Sequence, residues 1–189
     1  MSGYRSAIYA DSCVFIAWLS NEKRKLGEME GVHGLVSAVD KNEVVLVTST
    51  ITETELIKLT DEQMEMFKQF TRRRNVQVKA PDIRIGALAN EIRSYYQKLK
   101  DEGATALPTL TTPDAVHLAT AIYWGCERLF TFDENDESGG SRPRRALIPL
   151  SGLVAGKYQI EICKPIVAEP GFAFQWDTKK DDKKPDDKG

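Results

Sequence analysis

The sequence predicts an α/β fold in which helices cover both faces of a mainly parallel sheet. Short apolar or β-branched runs alternate with longer stretches of helical periodicity, and hairpin signals are lacking where the helices accumulate. Strands separated by helices need crossover connections, which produce parallel pairing. With 189 residues, 41% of them hydrophobic, the chain is long enough for one domain with a sizeable core.

In the first half of the chain, helical periodicity follows each short strand. Residues 6–10 are mostly apolar and run into Asp11 and Ser12, which can cap a helix over 12–19. The β-branched run 44–47 predicts a buried second strand. Apolar residues at helical spacing predict three further helices in this half, over residues 31–41, 51–59 and 61–74.

In the second half, alternation over 76–79 predicts a third strand, after which Pro81 and Asp82 begin a long amphipathic helix. That helix ends near Gly103. The remaining elements are a helix over 112–124 and strands over 128–132 and 158–162, with a Gly-, Ser-, Pro- and Arg-rich loop over 134–145. We expect residues 1–168 to form the domain and the charged residues 169–189 to form a solvated tail.

Charge and cysteine usage exclude several classes of protein. Lys and Arg total 26 against 28 Asp and Glu, so contacts with nucleic acid must be local rather than held by a global basic field. Apolar stretches fall short of the ~20 residues that span a bilayer, and the pattern of a signal peptide is lacking, which predicts a cytoplasmic protein. Cys13, Cys126 and Cys163 form no C-x-x-C pair, and each is expected to be a small buried apolar residue.

Acidic residues follow three of the predicted strands. Asp11 comes directly after the first strand, Asp133 after strand 128–132, and Glu53 and Glu55 after strand 44–47. Asp114 lies in the first turn of the helix that precedes Asp133. Because sites in parallel sheets lie at the carboxyl ends of strands, we expect these acids to converge on one edge.

Clustered carboxylates repel one another unless a cation compensates their charge. Oxygen ligands without His or Cys favour Mg²⁺ or Mn²⁺ over Zn²⁺, and such sites leave positions open for water and a substrate phosphate. Metal-assisted hydrolysis of a phosphodiester is therefore the predicted chemistry.

Each of these acids also has a structural interpretation. Asp11 and Asp114 can be helix caps with no further role. Asp133 can be a turn residue, and Glu55 can be an exposed helix residue. His33 and His117 lack a second histidine at metal-binding spacing and are interpreted as structural residues. Two basic clusters could hold phosphates or be solvated faces; they comprise Arg72, Arg73 and Arg74, and Arg142, Arg144 and Arg145.

Four separated motifs resemble one known family. They read YADSCVFIAWL, TSTITETELIKL, TTPDAVHLATAIYWG and RLFTFDEND, in that order. Together they resemble the PIN-domain ribonucleases, particularly the VapC-type toxins of bacterial toxin–antitoxin pairs, over roughly residues 6–165. The resemblance implies a three-layer α/β/α fold with a central parallel sheet. It also implies an endoribonuclease dependent on Mg²⁺ or Mn²⁺ that cuts single-stranded regions, often in transfer or ribosomal RNA.

The resemblance also assigns roles to residues. The catalytic acids and metal ligands would be Asp11, Glu55, Asp114 and Asp133, with Asp136 as an additional ligand and Ser12 and Thr131 as supporting hydroxyls. Glu53 becomes a neighbour of the site. Family members usually dimerise, and the toxins are silenced by an antitoxin that inserts a segment into the acidic groove, for which helix 82–100 is a candidate surface. Additions over 137–157 and after Pro165 make the chain longer than a typical toxin of this family.

Three other functions compete with the ribonuclease. A catalytically inactive PIN-like module could bind RNA or protein, although all four acids are present. A haloacid-dehalogenase-type phosphatase would need an Asp where Cys13 stands. A phosphoacceptor receiver domain would need an acidic pair near the N-terminus and a late Lys, which the sequence does not convincingly supply.

Overall fold

A computed structural model describes residues 6–136 and 144–166. The strands are β1 (Ala7–Ala10), β2 (Val45–Ser49), β3 (Val76–Lys79), β4 (Arg128–Phe130), β5 (Gly152–Val154) and β6 (Tyr158–Cys163). The helices are α1 (Ser12–Leu19), α2 (Glu28–Asp40), α3 (Thr50–Glu55), α4 (Asp61–Thr71), α5 (Ile83–Asp101) and α6 (Thr112–Tyr123).

The strands form one sheet in the order β3-β2-β1-β4-β6-β5. Every neighbouring pair is parallel except β5 and β6 at one edge. The carboxyl ends of β1 and β4 are in register, with Ala10 opposite Phe130. The predicted α/β fold with a mainly parallel central sheet is confirmed, and it places Asp11 beside the end of β4.

Helices pack on both faces of the sheet because alternate strand residues point to opposite sides. In β1, Tyr9 enters a core shared with α5 and α6, whereas Ile8 enters a core shared with α1, α2 and α4. Both side chains are fully buried. The two cores fix β1 and α6, the elements that carry Asp11 and Asp114.

The sequence correctly indicates the starts of several helices. Asp11 caps α1 by accepting a hydrogen bond from the backbone N–H of Cys13 at 2.7 Å. Asp82 caps α5, accepting from the N–H groups of Arg84 and Ile85. These side chains satisfy backbone donors that the first turn of a helix leaves without partners.

The predicted helix over 51–59 is shorter in the structure and ends at Glu55. A capping box begins the next helix: Thr60 accepts from the Gln63 N–H, and the Gln63 side chain accepts from the Thr60 N–H. The capping box marks Asp61 as the start of a separate helix, so residues 56–59 connect the two helices.

The β5–β6 hairpin was not predicted. Ala155 and Gly156 connect its strands with φ angles of 50° and 66°. Two successive positive φ angles are typical of the tight turns that join antiparallel strands. Gly156 is the sequence signal for this turn, and Ala155 in its first position obscures that signal.

In residues 6–136 and 144–166, no helix is long and apolar enough to cross a membrane. The expected tail, residues 169–189, lies outside the described residues, as does Arg142. The proposed boundary at residue 168 therefore stays a prediction.

Candidate active site

Asp11 lies at the carboxyl end of β1 and is 6% exposed. Its backbone N–H donates to the Phe130 carbonyl at 3.1 Å, which ties it to the end of β4. One carboxylate oxygen, Oδ1, caps α1 through Cys13. Asp11 is thus a helix cap, as the structural interpretation expects, and also stands at the edge where the other acids arrive.

Glu55 is brought to this edge by the short helix α3. The buried Thr48 hydroxyl donates to the Ala10 carbonyl at 2.9 Å and contacts the Thr52 hydroxyl at 2.8 Å. These two bonds fix the start of α3 against the end of β1. Glu55 is the last residue of α3, and its side chain remains 29% exposed.

Two side chains hold the Glu55 carboxylate. His117 Nε2 lies 2.7 Å from Glu55 Oε2, and the Ser12 side chain also hydrogen-bonds Glu55. Partial burial raises the pKa of Glu55, but the hydrogen bonds from His117 and Ser12 outweigh it, so the pKa lies below its ordinary value. Glu55 is therefore held as a carboxylate, and Ser12 stands where a supporting hydroxyl was expected.

His117 is 1% exposed and uses both ring nitrogens. Nδ1 lies 2.6 Å from the hydroxyl of Tyr9 in β1, while Nε2 meets Glu55. The sequence analysis interprets His117 as a structural histidine, and its bonding is indeed complete. One of its partners, however, is the expected site acid Glu55. The sequence argument considered only whether His117 could bind a metal, so it did not predict this contact.

Asp114 lies in the first turn of α6, whose cap is Thr111. The Thr111 hydroxyl donates to Asp114 Oδ2 at 2.5 Å and accepts from the Asp114 N–H at 3.3 Å. Burial raises the pKa of Asp114; the Thr111 hydrogen bond opposes this, and the negative charge of Asp11 raises the pKa further.

Asp133 follows β4 and is held by residues on both sides of it in sequence. Thr131, fully buried, accepts a hydrogen bond from the Asp133 N–H at 3.1 Å, and Asp133 Oδ2 accepts from the Leu147 N–H at 2.9 Å. Asp133 Oδ1 lies 2.6 Å from Arg144 Nη1. Burial raises the pKa of Asp133, Arg144 opposes this, and the charge of Asp114 adds to it. Thr131 occupies the expected position of a supporting hydroxyl.

The charges of three acids influence one another. Asp11 acts on Asp114, and Asp114 acts on Asp133, so each carboxylate lies within electrostatic range of the next. Bringing carboxylates together under partial burial creates negative charge that a divalent cation would relieve, and carboxylate oxygens are the donors that Mg²⁺ and Mn²⁺ prefer.

The donor chemistry therefore fits a divalent cation, but the acids do not form a coordination cage. Within residues 6–136 and 144–166, no three His, Cys, Asp or Glu side chains lie close enough together to hold a metal ion. Asp136 is exposed, and its Oδ1 accepts from the Ala146 N–H at 2.8 Å. That bond ties Asp136 to the backbone of Ala146 and gives no support to a role for Asp136 as a ligand.

The basic clusters expected from the sequence are divided between different parts of the fold. Residues 72–74 directly precede β3, which is parallel to β2, so they lie at the amino ends of the strands, opposite the acids. Arg73 is ion-paired with Asp40. The Arg145 guanidinium is committed to the backbone carbonyls of Leu107 and Pro108. Of the described arginines in these clusters, only Arg144 meets an expected site acid.

A basic pocket that was not predicted from the sequence lies against Phe132 and Glu134, the two chain neighbours of Asp133, and has a volume of about 450 Å³. Its lining is Lys23, Arg24, Lys25, Glu28, Phe132, Glu134 and Lys164. Arg24 lies 3.7 Å above the Phe132 ring, and Lys164 pairs with Glu28 at 2.9 Å and with Glu134. Four cations against two carboxylates leave the pocket positive. Three of these cations, residues 23–25, are consecutive in the α1–α2 connection, a local basic cluster that could have been recognised in the sequence, and only Lys164, after β6, joins them through the fold.

Comparison with known proteins gives one family match. A family model described as PIN domain matches residues 8–137. No curated protein matches the chain.

The solved structures to which this chain is similar include the following three. VapBC2 from Rickettsia felis bound to a promoter DNA fragment is 14% identical, covers 66% of this chain and 86% of its own, and gives a TM-score of 0.49. A toxin-antitoxin complex from Klebsiella pneumoniae is 19% identical, covers 67% of this chain and 85% of its own, and gives 0.44. VapC20 of Mycobacterium tuberculosis, a sarcin-ricin loop cleaving toxin, is 14% identical, covers 67% of this chain and 89% of its own, and gives 0.43.

Proposed function

The chain belongs to the PIN-domain family, and on that premise we propose that it is a metal-dependent endoribonuclease and the toxin of a toxin–antitoxin pair. PIN nucleases generally use divalent metal ions. The proposed substrate is RNA, cut at phosphodiester bonds in single-stranded or structured regions.

One observation carries the nuclease proposal. Asp11, Asp114 and Asp133 come from three distant segments, and the pKa values of Asp114 and Asp133 are raised by burial and by the charge of a neighbouring acid. A fold that only needed to be stable would gain nothing from this repulsion. The repulsion becomes useful when a cation binds, which supports a site for Mg²⁺ or Mn²⁺.

In this proposal Asp11, Glu55, Asp114 and Asp133 hold the metal. The bound metal would supply positive charge to the scissile phosphate and activate water for its hydrolysis. The protein's own contribution is orientation. Thr131 fixes the backbone of Asp133, while Ser12 hydrogen-bonds the carboxylate of Glu55.

The basic pocket supports an RNA substrate. Phe132 and Glu134, the chain neighbours of Asp133, line it, so an RNA chain bound at the acids could continue towards Lys23 or Lys25. Lys25 is 75% exposed at its side chain and pairs with Glu134 at 3.1 Å, a solvated contact that an RNA phosphate can exchange at little cost.

A second candidate function is a PIN-like module that binds RNA or protein without cutting it. It is favoured by the ion pair between Arg144 and Asp133, which neutralises one proposed ligand within the chain. It is also favoured because, among the described residues, no three possible ligands lie close enough together to hold a metal ion. Such a module would bind RNA without a requirement for metal.

The proposed partners are a cognate antitoxin and a second copy of the chain, and the proposed location is the cytoplasm. An antitoxin would be recognised by co-purification with the product of a neighbouring small reading frame and by loss of cleavage when it is added. Sedimentation as a strict monomer at micromolar concentration would refute the homodimer.

The direct test of activity uses the purified chain with a pool of transfer and ribosomal RNA. We expect cleavage with Mg²⁺ or Mn²⁺, none with EDTA, and no hydrolysis of a small phosphate ester. RNA binding without cleavage under any metal condition would support the inactive module, and metal-independent cleavage would refute the proposed mechanism.

A further inference from the structure

A buried hydrogen-bond chain runs from Tyr9 through His117 to the proposed ligand Glu55, and Tyr9 and His117 are not themselves among the proposed ligands. We propose that His117 is a positioning residue: its imidazole, oriented by the Tyr9 hydroxyl, donates the Nε2–H to the Glu55 carboxylate and fixes it at the acidic edge of the sheet. The inference rests on the proposed function for its catalytic consequence, but the hydrogen-bond arrangement can be tested separately.

The first support is the completeness of the chain. Nδ1 lies 2.6 Å from the Tyr9 hydroxyl, and Nε2 lies 2.7 Å from Glu55 Oε2. Tyr9 is fully buried and His117 is 1% exposed, so water competes little for the bond between them. The two rings also pack edge to face, with centroids 5.8 Å apart.

The direction of the bonds follows from the partners. An ionised carboxylate only accepts hydrogen bonds, so Nε2 must carry the proton that lies between His117 and Glu55. In the neutral ring Nδ1 is then the acceptor, and the Tyr9 hydroxyl is its donor.

The second support is where the three residues stand. Tyr9 precedes Asp11 by two residues in β1, and His117 follows Asp114 by one helical turn in α6. The elements that carry two of the proposed ligands thus also orient a third. Glu55 needs this anchor because it ends a helix of only 6 residues, where the backbone alone constrains a side chain weakly.

A pair of substitutions separates positioning from general stability. In His117→Gln, the amide nitrogen takes nearly the place of Nε2 and can still donate to Glu55. In His117→Asn, the shorter side chain places its amide near Nδ1 and leaves Glu55 without this donor. Both variants remove the ring and both remain polar, so the losses in packing are comparable.

We expect His117→Asn to lose about ten- to a hundredfold in kcat with little change in the KM for RNA, and a similar factor in Mn²⁺ affinity. His117→Gln should recover most of both losses at the same Tm. In a Glu55→Gln background, His117→Asn should add almost no further loss, because the group on which it acts is already neutral. Equal losses for Gln and Asn, or additive losses in the double variant, would overturn the proposal.

Nitrogen NMR of the His117 ring in the wild-type protein gives a readout that does not depend on catalysis. The proposal predicts a proton on Nε2 and an unprotonated Nδ1; a proton on Nδ1 alone would overturn it even in an active enzyme. If the ring shows the expected tautomer but the chain cuts no RNA, the positioning stands and the proposed function fails. Tyr9→Phe, which removes only the hydroxyl, replaces His117→Asn if that variant does not fold, and a kcat loss of a few-fold is expected.

Discussion

Arg144 Nη1 lies 2.6 Å from Asp133 Oδ1, so a guanidinium is paired with a carboxylate that is proposed to bind the metal. Arg144 holds the pKa of Asp133 lower than burial and the charge of Asp114 alone would set it. The same positive charge would oppose a divalent cation at that carboxylate.

We therefore expect Arg144→Gln to bind Mn²⁺ about three- to tenfold more tightly than the wild type, since one charge at this range is worth more than ~1 kcal/mol. Arg128→Gln is the matched control. Arg128 pairs with Glu161 at 2.6 Å and is 38% exposed against 36% for Arg144. Calorimetric titration would measure both affinities, and an unchanged or weaker affinity in Arg144→Gln would count against a metal ligand at Asp133.

The basic pocket predicts a local effect on RNA binding. Lys23→Glu, in an Asp11→Asn background that prevents cleavage, should weaken RNA binding and reduce the salt dependence by about one ion. Lys68→Glu makes the same charge change on α4, near the amino ends of the strands. Fluorescence anisotropy at several salt concentrations compares the two variants, and equal weakening would show that the pocket is not the RNA path.

Two helical glycines predict opposite effects on stability. A Cβ on Gly31 would lie 1.5 Å from the Pro165 carbonyl oxygen, so Gly31→Ala must displace the segment after β6 and should cost about 1–3 kcal/mol of unfolding free energy. Gly86 has nothing within 4 Å of its Cβ position. Gly86→Ala should therefore stabilise the protein by up to ~1 kcal/mol through helix propensity. Urea unfolding measures both, and a stabilised Gly31→Ala protein would contradict the packing of α2 against residues 164–166.

The thiols should react slowly in the folded protein. Burial raises the pKa of Cys126 to about 12 and that of Cys163 to about 11. A raised thiol pKa means that thiolate is scarce below it, so at pH 8 about one Cys126 in ten thousand and one Cys163 in a thousand is reactive.

Alkylation by iodoacetamide should accordingly be much slower than in the urea-unfolded chain and should accelerate about tenfold for each pH unit. Mass spectrometry of each cysteine follows the reaction. Rapid labelling of Cys126 at pH 8 without unfolding would contradict its burial. The expectation of a buried residue is confirmed for Cys126, whereas Cys13 and Cys163 are only half-buried.

The sequence predicts the parallel sheet and places the acids at its edge because both depend on local patterns. The run 44–47 is β-branched, and Asp11 and Asp133 directly follow apolar strands. The pairing of His117 with Glu55 could not be read in this way, because 62 residues separate them and only the packing of α6 against α3 brings them together. The β5–β6 hairpin was missed because its strand β5 has only three residues.

The distance of each arginine cluster from the acids could not be predicted from the sequence either. Residues 72–74 and Arg144 look alike as local basic sequence, but their distance from the acids depends on which end of a strand they adjoin. In the basic pocket, by contrast, three of the four cations are the consecutive residues 23–25, a local pattern, and only Lys164 is brought to them by the fold.

If the acids at the carboxyl edge of the sheet perform metal-dependent cleavage of RNA, the reaction requires Asp114. Asp114→Asn tests it most directly, with Asp82→Asn as its control, because Asp114 and Asp82 both serve the start of a helix. The initial rate of RNA cleavage in Mn²⁺ is the measurement. We expect Asp114→Asn to lose at least about a hundredfold in rate while Asp82→Asn, at comparable or lower stability, keeps the wild-type rate. Wild-type cleavage by Asp114→Asn would contradict it.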